Sequence, residues 1–479
     1  MSPELAELLA RWRAAADVLQ NASINTLSQP DDNGAHDNAI EESALALEQL
    51  LKQQAGILVK RHDQLQNKTP LDSVNLELLE TRLEQLATMS MSKFYAYQYN
   101  LLPYCWRQIY SDTLILTAYF HLLQSVSDTR QISESAMDKV VEMLDRSLIV
   151  AGGAGKLLGA RWIEQALAQL ESFWAASDES NSDDRPKKRL RPTSSFTTEP
   201  VWQPTLSKDC PRHTKWSINK FETYMNDKTT NPRPVVFTDL VKDTWPALND
   251  RPWANLDYLL SKTFGGRRLV PVEVGRSYVD TDWGQELIPF KAFVNRYLDG
   301  KQAQVGYLAQ HDLFHQIPSL RNDTAIPDQC WADVPGHPVD PSKNKEHVDV
   351  PQLNAWFGPA GTITPLHTDA YHNLLVQVVG TKYVRLYPPW EGIAMRPRSK
   401  ENGVDMSNTS ALDVGVLEGW DAVPEGSSTE EIDETRKALK DVEYWECILR
   451  EGDTLLIPMG WWHYVRSLTV SFSVSFWWN

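Results

Sequence analysis

The feature that most constrains the fold of this chain is an abrupt change of character at residues 176–200. This segment, ASDESNSDDRPKKRLRPTSSFTTEP, is rich in Ser, Asp, Pro and Thr and nearly free of apolar residues, a composition typical of a disordered linker. A chain of 479 residues also exceeds what one hydrophobic core usually organises. We therefore expect one domain over 1–175, a linker over 176–200 and a second domain over 201–479.

The first 175 residues have the apolar spacing of amphipathic helices. Apolar side chains recur at intervals of three and four residues, first at Leu5, Leu8, Leu9, Trp12, Ala16 and Leu19. Similar stripes follow, without a repeat of the length that solenoid proteins use. The pattern predicts an irregular helical bundle.

After residue 200 the pattern changes to short strands. Val470, Phe472, Val474 and Phe476 alternate with serines, a period of two. Further β-branched or aromatic runs bounded by Gly and Pro occupy 233–238, 268–274, 372–379 and 382–387. Helical insertions are expected near 253–262, 283–298 and 429–441. The fold class is therefore predicted as α+β, an all-helical domain followed by a barrel or sandwich with helical decorations.

Charge and cysteine content narrow the possible partners. The formal charge of −16 argues against direct sequence-specific nucleic-acid binding and favours a basic partner. The four cysteines are more than 100 residues apart, which excludes a disulfide framework and a Cys-based zinc module. No signal peptide or run of membrane-spanning length is evident, so we expect no membrane association. The basic cluster Lys187–Arg191 suits nuclear import; the alternative is a solvated charge run.

The strongest candidate for chemistry is His367-Thr-Asp369. Residues i and i+2 of a strand face the same side, so this pair can present an imidazole and a carboxylate to one point. His463, in a strand–turn–strand pattern, can supply a third ligand, and two imidazoles with one carboxylate suit Fe(II). A second such pair, His347 and Asp349, lies in a polar segment that we interpret as a surface loop.

Polar residues around His367 strengthen this hypothesis. Lys382, 15 residues further on, can neutralise the far carboxylate of a metal-chelating dicarboxylate, although a strand lysine facing water is the alternative. Thr364 and Asn373 can add neutral hydrogen bonds to the same ligand.

Four stretches resemble JmjC-domain dioxygenases: WFGPAGTITPLHTDAYHNLLVQVVGTKYVRLYPP (356–389), LVPVEVGRSYVD (269–280), GYLAQHDLF (306–314) and CILREGDTLLIPMGWWHYVRSLTVSFSVSFWWN (447–479). The resemblance covers roughly 200–479 and implies a JmjC double-stranded β-helix, a cupin-like barrel, that uses Fe(II), 2-oxoglutarate and O₂. It implies no catalytic residue beyond the metal site. The implied iron ligands are His367, Asp369 and His463.

The resemblance also assigns the residues around the iron. It implies that Lys382, with Tyr278, Thr364 and Asn373, holds 2-oxoglutarate, and it puts Trp356 and Trp477 at aromatic positions near the site, Trp477 toward the cofactor and Trp356 in the substrate pocket. The main departure is the segment 391–446, which is longer than expected and has seven acidic residues between 418 and 434. We interpret this acidic run as a solvated loop that can attract a Lys- and Arg-rich peptide.

These features predict an enzyme, an oxygenase dependent on Fe(II) and 2-oxoglutarate that hydroxylates a protein side chain, with arginine favoured on family grounds. The alternatives are a histone N-methyl-lysine demethylase and a non-catalytic reader or scaffold. A cupin isomerase or hydrolase would leave Lys382 without a purpose. The expected substrate is a histone or another basic protein or peptide. The helical domain is expected either to bind a partner or to pack against the catalytic domain. The expected location is the nucleus, with the cytoplasm as a second site.

Three further patterns receive structural interpretations. His311 and His315 lack the glutamate of a helical zinc motif. Gly152-Gly-Ala-Gly-Lys156 fails the spacing of a phosphate loop and is interpreted as a helix interruption. Fourteen of 18 tryptophans follow residue 200. Those beside the metal motifs are expected to line a dry cavity: Trp356, Trp461, Trp462, Trp477 and Trp478.

Overall fold

The apolar stripes of the N-terminal part form six helices in the described residues. The computed structural model describes residues 1–22, 42–67, 73–98, 101–180, 196, 199–200, 202–280, 282–298, 304–401, 403–424 and 428–479. The N-terminal helices are α1 (Pro3–Asn21), α2 (Glu42–Asn67), α3 (Ser73–Ala96), α4 (Tyr104–Thr129), α5 (Glu134–Ala151) and α6 (Gly159–Ser180). None of the described helices combines the length and the apolar character needed to cross a bilayer.

Helix α4 is the centre of this bundle. It packs against α1, α2, α3, α5 and α6 and is buried on most of its circumference, including Trp106 and Phe120. An apolar helix surrounded by amphipathic ones is the expected arrangement of an irregular bundle. The stripe of α1 predicted from sequence is buried from Leu5 to Leu19.

Local signals set the helix ends. The hydroxyls of Ser2 and Ser133 accept hydrogen bonds from backbone N–H groups in the first turns of α1 and α5. Helix α5 ends at Gly152, whose φ of 68° is a left-handed conformation that glycine adopts readily. The Gly152–Lys156 segment is therefore the turn between α5 and α6, as its sequence predicted, and the phosphate-loop alternative has no support.

The chain divides into two units, Met1–Leu190 with Arg267–Leu269, and Arg191–Gly266 with Val270–Asn479. The strands of the second unit are β1 (Arg212–His213), β2 (Val235–Phe237), β3 (Leu269–Val274), β4 (Gly284–Pro289), β5 (Gly306–His311), β6 (Gln352–Gly358), β7 (Ile363–Thr368), β8 (His372–Val379), β9 (Lys382–Tyr387), β10 (Lys400–Glu401), β11 (Val404–Asp405), β12 (Trp445–Leu449), β13 (Thr454–Ile457), β14 (Trp462–Ser467) and β15 (Ser471–Trp478). Its helices are α7 (Ile218–Met225), α8 (Leu256–Lys262), α9 (Phe290–Phe293), α10 (Leu313–Gln316), α11 (Pro318–Arg321), α12 (Val414–Leu417) and α13 (Thr429–Leu439).

Two sheets form the core of the second unit. One has nine strands in the order β1-β2-β13-β8-β15-β6-β5-β3-β4, and the other has four in the order β12-β9-β14-β7. The pairings given for β7, β8, β9 and β12 to β15 are all antiparallel, and β1 with β2 is parallel. Together with the helical N-terminal region, these sheets make the chain an α+β protein, as predicted.

The C-terminal strand β15 is buried on both faces. Phe472, Val474 and Phe476 belong to a large apolar cluster with residues of the surrounding helices. The alternating serines are also buried, and they make hydrogen bonds: Ser473 donates to Gln377 at 2.8 Å, and Ser475 accepts from Trp356 Nε1 at 2.9 Å. The polar face of β15 thus points into the barrel, where its hydroxyls satisfy buried polar groups.

Two sequence expectations need correction. The region 283–298, predicted as a helix, begins as strand β4 and becomes helical only at Phe290, because Gly284–Pro289 pairs at the sheet edge. The acidic run is not simply a solvated loop: Glu418 pairs with Arg385, and Asp421 pairs with Arg466 at 2.8 Å. The basic cluster at 187–191 and Glu425 lie outside the described residues.

A glycine in the turn between β8 and β9 provides a test of this packing. Gly380 has φ of 73°, and a Cβ added there would lie 2.0 Å from the backbone oxygen of Val470. We expect Gly380→Ala to lower the free energy of unfolding by about 3 kcal/mol or more, because both backbone strain and a backbone clash must be relieved. Urea unfolding followed by tryptophan fluorescence measures this loss.

The matched control is Gly403→Ala. Gly403 also has a positive φ, 87°, but an added Cβ would meet no atom within 4 Å. Only the cost of the left-handed conformation, about 1 to 2 kcal/mol, is expected there. Equal losses at the two positions would contradict the close approach of Val470 to the turn.

Candidate metal centre

Antiparallel pairing brings the two candidate histidines together. In the register of β7 and β14, His367 and His463 are directly opposite each other. Side chains of such pairs point to the same face of the sheet, and the two imidazole centroids are 4.1 Å apart. Asp369 follows the end of β7, two residues after His367, so its carboxylate faces the same point.

The three side chains have the geometry of a metal site. One ligand atom from each of His367, Asp369 and His463 lies within 4.8 Å of the others, and no other group of three or more His, Cys, Asp or Glu in the described ranges does so. The Nε2 atoms of His367 and His463 are 3.7 and 3.5 Å from the two Asp369 carboxylate oxygens. Two nitrogens and one oxygen therefore surround a common centre.

Backbone hydrogen bonds hold the proton of each histidine ligand on Nδ1, which leaves Nε2 free to bind a metal. His367 Nδ1 donates to the carbonyl of Pro365 at 2.7 Å, and His463 Nδ1 donates to that of Trp461 at 3.0 Å. With the proton on Nδ1, each Nε2 keeps a lone pair directed at the common centre. Burial, followed by the neighbouring His367, lowers the pKa of His463 to about 4 and favours the neutral imidazole.

Two buried oxygens in this region have no hydrogen-bond partner. Asp369 Oδ2 and Asn373 Oδ1 are both unsatisfied in the protein alone. A buried acceptor without a partner costs free energy, and an ionised carboxylate costs more than an amide. A divalent cation between the three ligand atoms would satisfy the carboxylate. The donor set therefore fits the Fe(II) that its residue types predicted.

A cavity opens beside the three ligands. Its lining includes Trp356, Thr364, Asn373 and Lys382, and its apolar wall is formed by Leu375, Ile457 and Val465. An apolar wall with a few converging polar groups is typical of a site for a small organic ligand. Thus the cavity brings together most of the residues that the sequence assigned to cofactor and substrate.

Lys382 lies at the inner end of β9 with only 1% of its surface exposed. Its hydrogen-bond partner is the hydroxyl of Tyr307, 3.0 Å from Nζ. Burial lowers the pKa of Lys382 to about 7. The alternative of a water-facing strand lysine is therefore wrong. The side chain is a desolvated cation with no carboxylate partner among the described residues, which favours binding of an anion in the cavity.

Two residues expected to hold the cofactor, Tyr278 and Trp477, do not line the cavity, whereas Tyr307, which the sequence analysis did not single out, does. Tyr278 follows the end of β3, with its hydroxyl 3.5 Å from Thr409 Oγ1, and it does not line the cavity. Trp477 is at the outer end of β15, where its ring stacks on Tyr371. Tyr307, on β5, lines the cavity beside Lys382 instead. The motif that contains Tyr307 was visible in the sequence, but only the pairing of β5 with β6 identifies this tyrosine as the inward one.

Only one of the five tryptophans expected to line the cavity does so. Trp356 lines the cavity, whereas Trp461, Trp462, Trp477 and Trp478 do not. Trp462 precedes His463 on β14, so alternation turns it to the opposite face, where it joins a separate apolar cluster. Aliphatic side chains and Tyr307 take the place expected of these indoles.

The other candidate histidines, His311, His315 and His347, lie outside the metal-binding group found in the described residues. His347 and Asp349 are exposed in a segment without strand structure. The ring of His311 shares a 2.7 Å hydrogen bond with Gln316. The four cysteines are buried, and none of them forms a disulfide within the described residues.

Comparison with known proteins identifies the second unit. A cupin-like domain model matches residues 221–479. Lysine-specific demethylase JMJ30 of Arabidopsis thaliana is 43% identical over 280 residues, which are 58% of this chain and 57% of that protein.

Two relatives extend the match into the helical part. Lysine-specific demethylase 8 of Danio rerio is 36% identical over 349 residues, 72% of this chain and 76% of that protein. Jumonji C domain-containing protein 5 of Drosophila melanogaster is 30% identical over 400 residues, 82% of this chain and 85% of that protein. This chain therefore belongs to the JmjC family of cupin-like, 2-oxoglutarate-dependent oxygenases.

Proposed function

We propose that this oxygenase uses Fe(II) held by His367, Asp369 and His463 to hydroxylate an arginine side chain of a basic protein. The observation that carries the proposal is the convergence of two Nε2 lone pairs and an unsatisfied carboxylate oxygen on one point, beside a buried lysine without a counter-ion. Such an arrangement destabilises the empty protein and suits a cation and a dianion bound together.

Bound iron and 2-oxoglutarate supply the activation of O₂ and the oxidation of a substrate C–H bond. The residues of this chain hold the metal ligands in position and keep water away from the reacting groups. The carbonyls of Pro365 and Trp461 fix the two imidazoles, so that His367 and His463 need no rearrangement to bind a metal. The three aliphatic side chains of the cavity wall, Leu375, Ile457 and Val465, exclude water from the reacting centre.

The inner end of the cavity suits the far carboxylate of 2-oxoglutarate. Lys382 would provide the charge, and the Tyr307 and Thr364 hydroxyls would donate hydrogen bonds to the same oxygens. Asn373 is nearer the strand end, where its side-chain amide can contact the metal-bound end of the cofactor. In this assignment Tyr307 takes the role that the family resemblance implied for Tyr278.

The substrate side favours a cation. Trp356 offers an aromatic face, on which a planar guanidinium stacks well. Glu273 on β3 is the cross-strand partner of Tyr307, and burial raises its pKa above the usual range. A carboxylate in such a position gains from a cationic partner. The formal charge of −16 is consistent with a histone or another basic protein as substrate.

Demethylation is the second candidate. The relatives from Arabidopsis thaliana and Danio rerio are named lysine-specific demethylases. The same oxidation on an N-methyl carbon would release formaldehyde, and Trp356 can also face a methylammonium. A non-catalytic scaffold would not need to keep both the three ligands and Lys382.

Location and partners complete the proposal. We assign the protein to the nucleus, with the cytoplasm as a second site, on the basic cluster Lys187–Arg191 and on the histone substrate class. We assign partner binding to the helical region 1–175.

The reaction type is tested by incubating the full chain with Fe(II), 2-oxoglutarate and basic peptides that carry arginine, lysine or N-methyl-lysine. We expect succinate release and the gain of one oxygen atom on arginine peptides. Formaldehyde with loss of a methyl group would favour demethylation instead. No succinate and no mass change with any peptide would contradict both.

Glu273→Gln tests the cationic substrate. We expect the KM for an arginine peptide to rise about tenfold, because a charge-assisted contact is lost, while the KM for 2-oxoglutarate stays unchanged. Glu286→Gln on neighbouring β4 is the control, since Glu286 is in an exposed pair with Arg296. An unchanged peptide KM in Glu273→Gln would remove Glu273 from the substrate site.

Asp369→Asn tests the metal site. We expect the affinity for Co(II), titrated calorimetrically into the metal-free chain, to fall at least about 100-fold, because the charged ligand is lost. Thermal stability without metal should not decrease, since an unpaired buried charge is removed. Asp349→Asn, in the exposed second motif, should bind Co(II) as the unmodified chain does. Retained Co(II) binding in Asp369→Asn would place the metal elsewhere.

Lys382 makes 2-oxoglutarate binding depend on pH. In the free protein its pKa is about 7, and a bound carboxylate would raise that pKa, so binding takes up a proton above pH 7. We expect affinity to fall as the pH rises from about 7 to 9, at up to about tenfold per pH unit. Calorimetry with the Co(II)-loaded chain measures this slope.

Lys382→Met should bind 2-oxoglutarate weakly at every pH and lose the slope. The control, Lys400→Met, changes an exposed lysine of β10 and should retain both. A slope that persists in Lys382→Met would assign the titration to another group.

A further inference from the structure

Part of the long segment 391–446 pairs with the open side of β7, the strand that carries His367. Strand β7 is the last strand of its sheet. Residues 408–410, here called the edge segment, run along its open side: Thr368 N donates to Asn408 O, and Ser410 N donates to Leu366 O, both at 2.8 Å. His367 and Thr409 are paired as an antiparallel bridge. The edge segment therefore completes the backbone hydrogen bonds of the metal-binding strand.

The edge segment also contacts the loop that follows β3. Tyr278 and Thr409 approach each other through their hydroxyls, and Thr409 is buried. Tyr278 is close enough to Asp369 for that carboxylate to contribute, after burial, to its raised pKa. Tyr278 and the edge segment thus form a wall beside the metal ligands and outside the cavity lining.

Asp421 joins the elements that carry this wall. Arg466 Nη1 donates to both carboxylate oxygens of Asp421 at 2.8 Å. Arg276 Nη2 donates to Asp421 Oδ2 at 2.8 Å and to Asp413 Oδ2 at 2.7 Å. We call these four residues the Asp421 clamp. Asp421 and Arg466 are largely shielded from water, with 14% and 15% of their side-chain surfaces exposed, so these bonds are stronger than surface ion pairs.

The three other residues of the Asp421 clamp are each close in sequence to a part of the site. Arg276 precedes Tyr278 by two residues, Asp413 follows Ser410 by three, and Arg466 follows His463 by three. Because these connections are short, the positions of the charged groups restrict the positions of Tyr278, of the edge segment and of His463.

The site of the Asp421 carboxylate is closely fitted. A Cβ added to Gly415 would lie 2.0 Å from Asp421 Oδ2, so the carboxylate occupies space that only glycine leaves open. Asp413 has a second role, since its other oxygen accepts from Val416 N at the start of α12. The clamp therefore has little freedom to shift.

We propose that Asp421 is a positioning residue for the oxygenase reaction: by bridging Arg276 and Arg466 it holds Tyr278 and Thr409 against the His367 strand and so sets the shape of the substrate side of the site. The proposal rests on the proposed function only for its kinetic consequence. Asp421 acts through other residues and touches neither metal nor cofactor.

The test compares Asp421→Asn with Asp433→Asn in the full chain. Asp433 forms an exposed pair with Arg436 in α13 and provides a matched loss of charge without a role in the clamp. Hydrogen–deuterium exchange should speed up about tenfold or more for the amides of Thr368 and Ser410 in Asp421→Asn, with β8 and β9 unchanged. Asp433→Asn should exchange like the unmodified chain. This readout needs no substrate, so it stands even if the peptide panel gives no product.

Kinetics then separates positioning from a general structural role. With the most active arginine peptide of the panel, Asp421→Asn should raise the peptide KM and the ratio of succinate to hydroxylated peptide about fivefold or more. Co(II) and 2-oxoglutarate affinities should stay within about threefold of the unmodified chain.

Unchanged exchange at Thr368 and Ser410 would overturn the proposal, as would equal losses in metal, cofactor and peptide binding. If Asp421→Asn does not fold, Arg276→Gln replaces it, because that change keeps the pair of Asp421 with Arg466. The same increases in exchange and in succinate ratio are then expected, and their absence would overturn the proposal.

Discussion

The backbone register between β7 and β14 is the constraint on which the site depends. It sets His367 opposite His463, and the end of β7 then brings Asp369 to the same point. A slip of one residue would turn one imidazole to the other face of the sheet. The tight turn at Gly460, with φ of 79°, immediately precedes β14 and helps to fix this register. The edge segment supports the same strand from its other side. The metal geometry is thus a consequence of sheet pairing rather than of side-chain flexibility.

The site is assembled in a state that favours ligands. Lys382 is a buried cation with a phenol as its partner, and Asp369 has a buried oxygen with none. Each costs stability in the empty protein, and an iron ion with a dicarboxylate would satisfy both. The neutral His463 avoids a third unfavourable charge. Because the side chains are already in place, little of the binding free energy of the metal and the dicarboxylate is spent on rearranging the protein.

Sequence reasoning predicted what depends on local pattern. The helical stripes, the alternation in β15, the convergence of His367, Asp369 and His463, and the inward position of Lys382 all follow from periodicity or from short motifs. The wrong predictions concern side chains whose surroundings depend on contacts between residues distant in sequence. Tyr307 lies within β5 and Tyr278 follows β3, and only the folded structure shows that Tyr307 is the one that faces the cavity. The acidic residues Glu418 and Asp421 looked solvated because their partners Arg385, Arg276 and Arg466 are distant in sequence.

We propose that one metal and one 2-oxoglutarate share the cavity between the His367 strand and Lys382. A crystal structure of the full chain grown without O₂ with Mn(II), as a redox-inert substitute for Fe(II), and 2-oxoglutarate would test this arrangement. We expect one ion bound by His367 Nε2, His463 Nε2 and an Asp369 oxygen, with the far carboxylate of 2-oxoglutarate on Lys382 Nζ and the Tyr307 hydroxyl. An ion held by other residues, or a far carboxylate bound away from Lys382, would rule it out.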